Sequence, residues 1–181
     1  MAYTVFESIN MGSTHYDGKI FDAIATEDIE NGTFGYLDGL QEGSEVIYVF
    51  KKGYKEGESV FVVDNPAWDE DTCHRTNQRK DKYVNKADVP FRVREINKND
   101  KFGITIDGVT VATQGDMDIE AHVTIDATTG KLVAKAETTG DAKFEGVVEG
   151  KRIAGATLVT PANTYGHSAV IYKVRVVTYS E

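Results

Sequence analysis

Val62-Val63, Asp64-Asn65-Pro66-Ala67-Trp68-Asp69-Glu70-Asp71, Tyr83-Val84-Asn85-Lys86, Val89-Pro90-Phe91-Arg92-Val93-Arg94, Asn97-Lys98-Asn99-Asp100 and Phe102-Gly103-Ile104-Thr105-Ile106 follow one another between positions 62 and 106. Read in order, they spell strand, polar excursion, strand, charged turn, strand. Short apolar runs rich in β-branched and aromatic residues, punctuated by Asn, Asp, Gly and Pro, are the signature of strands and not of helices. A single short helix near Thr76–Tyr83 is expected inside the excursion, and Pro90 keeps it from extending far.

The same pattern continues on both sides. Asn31-Gly32 and Asp107-Gly108 are dipeptides that tolerate positive φ at both central positions of a tight hairpin turn. Asp126-Ala127-Thr128-Thr129-Gly130 is a longer turn, with Gly130 available for the left-handed position. It joins Ala121-His122-Val123-Thr124-Ile125 to Leu132-Val133-Ala134-Lys135-Ala136. In the first of these, Ala121, Val123 and Ile125 share one face and His122 and Thr124 the other. The last strand, Val170-Ile171-Tyr172-Lys173-Val174-Arg175-Val176-Val177, puts Val170, Tyr172, Val174 and Val176 on one side and Lys173 and Arg175 on a wet one. Residues 1–42 read differently: rich in Gly and acids, with Phe6, Ile9, Phe21, Ile24, Ile29, Phe34 and Leu37 spaced apart. The expectation is an all-β chain, a compact β-barrel or β-sandwich over 43–181 with a second boundary near 107. An extended, irregular N-terminal arm with little core of its own would precede it.

A chain of 181 residues suffices for one good core or two small β units sharing a seam. No apolar run approaches the roughly 20 residues that span a bilayer, and the N-terminus lacks the basic flank and apolar stretch of a signal peptide. Synthesis and retention in a cytoplasm are expected, with no membrane partner. Net charge is −9, unevenly spread. Residues 1–72 carry 4 basic and 15 acidic side chains, residues 73–101 carry 9 and 4, and residues 102–181 carry 7 and 10. An acidic chain is a poor general nucleic-acid binder, because counterion release needs many clustered Lys and Arg. Alternation of sign along the chain suits contacts between copies or with a partner of matching pattern; a solvated surface is the other reading of it. The charges to test as a protein interface are Arg75, Arg79, Lys80, Lys82, Arg92 and Arg94, with Phe6 of the arm and Trp68 of the excursion.

No catalytic, metal or cofactor site assembles from these residues. His15, His74, His122 and His167 are far apart, and Cys73-His74 are neighbours whose side chains diverge in a strand. Cys73 is the only cysteine, so it forms no intrachain disulfide, and an inert thiol is expected. The contiguous acids Asp69-Glu70-Asp71 lack the alternating ligand spacing of a calcium loop, and Asn97-Lys98-Asn99-Asp100 lacks its turning Gly and late Glu. Phosphate-binding glycine loops, nucleophile elbows and zinc-protease motifs are all missing. The reading is non-enzymatic. Trp68, in a loop after Pro66, leaves open a carbohydrate-binding β-sandwich, although a loop Trp more often covers the edge of a core.

The run Asn85-Lys86-Ala87-Asp88-Val89-Pro90-Phe91-Arg92-Val93-Arg94-Glu95-Ile96, followed by Asn99-Asp100-Lys101-Phe102-Gly103-Ile104-Thr105, resembles a recurrent module of small structural proteins of tailed bacteriophages. So do the turn Ile29-Glu30-Asn31-Gly32-Thr33, the turn Thr129-Gly130-Lys131-Leu132, the strand Phe144-Glu145-Gly146-Val147-Val148-Glu149 and the final valine-rich strand. Where that pattern has Gly before its Arg, this chain has Val89-Pro90-Phe91. Such proteins serve as head decoration, cement or auxiliary capsid proteins. The resemblance implies a virion protein on the capsid exterior, with the major capsid protein as partner, self-association into an oligomer and no cofactor. Another phage structural role, in a tail tube or head–tail connection, is the nearest alternative.

Overall fold

A computed structural model of the chain describes residues 3–14, 19–67, 80–135, 144–154 and 169–179. They form eleven strands: β1 (Phe6–Asn10), β2 (Ile20–Ile24), β3 (Phe34–Leu40), β4 (Ile47–Lys52), β5 (Phe61–Val63), β6 (Phe91–Glu95), β7 (Lys101–Thr105), β8 (His122–Ile125), β9 (Leu132–Lys135), β10 (Phe144–Ala154) and β11 (Ala169–Tyr179). The all-β expectation holds. Helix is confined, among the described residues, to short 3-10 turns such as Lys80–Lys82 and Val111–Asp116. Of the short helix expected over 76–83, residues 80–83 are described, and Lys80–Lys82 form a 3-10 turn there.

Where a barrel or a sandwich was expected, a small barrel and a separate sheet are found. Strands β2-β4-β3-β5-β6 close a small barrel, and β1-β7-β11-β10-β8-β9 form an antiparallel six-stranded sheet. Inside the barrel the β2–β4 pair is parallel, and β2 also pairs antiparallel with β6. The barrel encloses Ala23, Phe50, Phe61, Val63, Phe91 and Val93. Its outer wall presents Phe34, Val60 and Val62 to the inner face of the sheet, where they join Phe6, Phe102, Ile104, Val148, Val174 and Val176. Strand β5 thus has Phe61 and Val63 in one core and Val62 in the other. A strand covered on both faces reads as an unbroken apolar run, as Phe61-Val62-Val63 does.

Phe34 is the main peg of this seam. It is fully buried, 5.6 Å from the Phe102 ring and 5.7 Å from Phe144 between centroids. Beside it the seam is made of main chain. Phe34 N–H donates to the Gly130 carbonyl and Gly53 N–H to the Phe34 carbonyl. Gly53 adopts φ +86°, and a Cβ there would fall on the carbonyl oxygen of Ala127. The turn between β8 and β9 is therefore both a hairpin turn and a docking point for the barrel. That hairpin forms as expected, with Ile125 opposite Leu132 and His122 opposite Lys135.

Three expectations are corrected. The first 42 residues are not an irregular arm. They supply β1 to the sheet and β2 and β3 to the barrel, and their spaced apolar groups, Phe6, Ile29 and Phe34, are buried in the two cores. Spacing that looks irregular in sequence arises because successive residues serve different cores. Asn31-Gly32 and Asp107-Gly108 turn the chain but close no hairpin, since β2 pairs with β4 and β6, and β7 with β1 and β11. Gly108 is required by packing: a Cβ there would meet the Ile104 and Thr4 side chains. Finally, the passage from barrel to sheet lies at 96–100, between β6 and β7. There Asp100, itself buried, accepts the N–H groups of Gly12 and Asn97, both at 2.8 Å.

Candidate functional site

Strand β1 lies at one edge of the sheet, and the polar stretch that follows β5 runs past it on the barrel side. Between them is a cleft of about 240 Å³, lined by Thr4, Val5, Phe6 and Ser8 from the sheet and by Asn31, Asp64, Asn65, Pro66, Ala67, Lys80, Arg92 and Arg94 from the barrel side. Four of the eight residues singled out from sequence, Phe6, Lys80, Arg92 and Arg94, meet here.

They do so in different roles. Arg92 and Arg94 alternate with Phe91 and Val93 along β6, so burying the apolar pair in the barrel turns both guanidinium groups outward. Arg94 is then covered by the seam. It is only 8% exposed, its Nε donates to Asp64 Oδ2 at 2.6 Å and its Nη1 to the Ser13 carbonyl at 3.3 Å. A covered cation needs such partners, so Arg94 holds structure and is not a free interface charge. Phe6 is corrected likewise: 5% exposed, with its ring stacked at 5.5 Å on Phe102, it belongs to the core. Arg92 is half-buried. Its Nε donates to the Asp64 carbonyl at 3.0 Å, and no carboxylate among the described residues pairs with it. Lys80 and Lys82 are exposed on their 3-10 turn, which the Tyr3 N–H ties to the start of β1 through the Asp81 carbonyl. Arg75, Arg79 and Trp68 lie outside the described residues, as do Cys73, His15, His74 and His167.

A knot of three asparagines stiffens the barrel wall of the cleft. Asn85 donates to the Ile29 carbonyl and to Asn31 Oδ1, at 2.9 and 3.0 Å. Asn65 donates to Asn85 Oδ1 and to the Tyr83 hydroxyl, both at 2.9 Å, and Asn31 donates to the Asn65 carbonyl at 2.8 Å. Buried polar networks satisfied in this way fix one arrangement of the chain. The Asp64–Ala67 segment is thereby held away from β1 as a wall and not added to it as a strand.

A second charged feature covers the face of the sheet turned away from the barrel. Lys101, Lys173 and Arg175 converge on Glu149, at 3.1, 3.8 and 2.6 Å, and Arg152 pairs with Glu7. Hydrogen bonding from Lys101 foremost, and from Arg175, holds the Glu149 carboxyl below the usual carboxylate range. On the same sheet His122 Nδ1 lies 2.8 Å from Glu145 Oε1. The wet face of Lys173 and Arg175 was legible in the alternation of β11. Their gathering around Glu149, with Lys101, needed the register of three strands.

By contrast, residues 19–67, most of the barrel, carry ten acids against four lysines. Asp28, Asp38 and Lys51 form exposed pairs there; Lys86 beside Asp28 and Lys51 beside Asp38 hold both carboxyls low. Among the described residues no group of three or more metal-ligating side chains comes together, and no helix is long and apolar enough to cross a membrane. Compared with protein-family models, with curated proteins and with solved structures, the chain matches none.

Proposed function

We propose that the chain is a non-enzymatic structural protein of a phage virion that binds the outer surface of the capsid and reinforces it. The observation that carries this reading is the distribution of charge over two fused β units. Residues 19–67, which supply four of the five barrel strands, carry ten acids against four lysines. The far face of the sheet gathers Lys101, Arg152, Lys173 and Arg175 around fewer carboxylates. Regions of opposite sign on one folded chain favour ordered contact with neighbours that repeat. Weak contacts multiplied over many copies give firm attachment without any one being strong. The sequence resemblance to head decoration proteins names the assembly, with the major capsid protein and further copies of this chain as neighbours.

The test is co-sedimentation of the purified chain with assembled heads, with tails and with polysaccharide. Retention on heads is expected, weakening as salt is raised because exposed charges are screened within about 10 Å at 0.1 M salt. Reversal of Lys101 and Lys173 to Glu should lower occupancy further. Retention on tails or polysaccharide alone, or head binding indifferent to both salt and reversal, would overturn the reading.

A further inference from the structure

The two edges of the six-stranded sheet are finished differently. At the β9 edge, Thr110 N–H donates to the Leu132 carbonyl at 2.8 Å, and Ala134 N–H donates to Thr113 Oγ1 at 3.1 Å. The 110–113 segment therefore occupies the outward main-chain groups of β9. Open strand edges are ready templates for another chain, and proteins commonly cover them in this way.

No such cover lies on β1 among the described residues. Thr105 N–H donates to the Val5 carbonyl at 3.1 Å, so Val5 and Thr105 form a hydrogen-bonded pair of the antiparallel ladder. Pairs alternate along such a ladder. Glu7 opposite Gly103 is then the next bonded pair, while Phe6 and Ser8 aim their N–H and C=O groups away from β7. These two residues line the cleft. Among the described residues the facing wall carries Lys80, Arg92 and Arg94 against one lining carboxylate, Asp64, which Arg94 already holds.

We infer that this cleft is a strand-addition site, in which an extended acidic segment of a partner protein pairs with the main chain of Phe6 and Ser8. Its carboxylates would meet Arg92 and Lys80. Main-chain pairing supplies affinity in this mode and alternate side chains supply selectivity. The charge decides the occupant. Two copies pairing β1 to β1 would bring two cationic walls together, whereas an acidic segment neutralises one. The cleft would take such a segment whether or not the chain sits on a virion.

The probe is a capped hexapeptide of alternating Glu and Val, with an alternating Lys and Val peptide as control. Both are titrated into the full isotopically labelled chain and followed by amide NMR and fluorescence anisotropy. Binding of the Glu peptide is expected, with new exchange protection at the Phe6 and Ser8 amides. Lys80→Glu, at an exposed site, should weaken it at least tenfold, and so should Ser8→Pro, which deletes an edge N–H directed away from β7. Equal binding of the Lys peptide, shifts centred elsewhere, or no binding at millimolar peptide would overturn the proposal. So would Phe6 and Ser8 amides already protected in the free chain. Lys80→Glu keeps the test decisive if Ser8→Pro does not fold.

Discussion

Phe34→Ala removes the ring that joins the barrel to the sheet, and its cost can be worked from the surroundings of that ring. Phe34 is fully buried between Phe102 and Phe144. A phenylalanine side chain buries roughly 150–250 Å², worth about 4–6 kcal/mol at about 25 cal/mol per Å². Truncations of buried phenylalanine cost about 3–5 kcal/mol. The overlap, about 4–5 kcal/mol, is a large share of the roughly 5–15 kcal/mol that holds an ordinary domain. For a chain of this size it corresponds to a fall in Tm of about 8–20 °C. Urea unfolding followed by far-UV circular dichroism gives the loss directly. Phe91→Ala, inside the barrel and 5.7 Å from Phe50, serves as comparator. Phe91→Ala should weaken the barrel while leaving the seam intact. Phe34→Ala should in addition broaden the transition as the two units lose their common peg. A loss under about 0.5 kcal/mol, the range of surface substitutions, would refute the claim that the seam rests on this residue.

Gly53→Ala and Gly43→Ala separate backbone strain from collision. Both glycines have positive φ, +86° and +80°, but only Gly53 faces the Ala127 carbonyl. Gly43→Ala should cost about 1–2 kcal/mol for the left-handed backbone alone, and Gly53→Ala about 1–3 kcal/mol more for overpacking; denaturant midpoints of the two variants decide it. Asp126 accepts the N–H of Thr128 at 2.7 Å and of Thr129 at 3.2 Å, and these bonds, that of Thr128 foremost, hold its carboxyl below its ordinary 3.8. A carboxyl lowered on folding contributes stability above its unfolded value and loses it as pH falls through the folded one. Asp126→Ala should therefore be less stable than the parent near neutrality, with the difference shrinking below about pH 4; thermal unfolding across that range checks the sign.

What sequence could and could not show follows from how local each signal is. The β8–β9 hairpin is fixed by a turn of five residues and the alternation on either side, so the hairpin was readable from Ala121 to Lys135. The wet and dry faces of β11 were readable for Lys173, Arg175, Val174 and Val176. Val170, assigned to the dry face, is instead exposed. Ile171 is buried on the wet face, because it packs beside Gly103, where no side chain intervenes. The assignment of strands to two units was not legible. Phe61-Val62-Val63 has the same apolar character whether it faces one core or two. In the same way, Arg92 and Arg94 look alike in sequence. What separates them is Asp64, whose carboxylate reaches Arg94 while its carbonyl takes Arg92. The cleft itself combines residues from positions 4–8, 31, 64–67, 80 and 92–94, a grouping that exists only after the sheet and barrel have met.

Placing β1 in a sheet otherwise built from residues 101–179 also sets an order of events during synthesis. Phe6 pairs with Ile104 and Glu7 with Gly103, almost a hundred positions later. The barrel, complete by Glu95, can close while β1 has no partner on either side. Long-range pairings of this kind slow folding, because the loop must close before any contact rewards it. Until β7 emerges, the N-terminal strand is a bare template beside a finished barrel, exposed to any other nascent copy. A chain halted between residues 96 and 100 should hold a folded barrel and an unmatched strand, and aggregate through it.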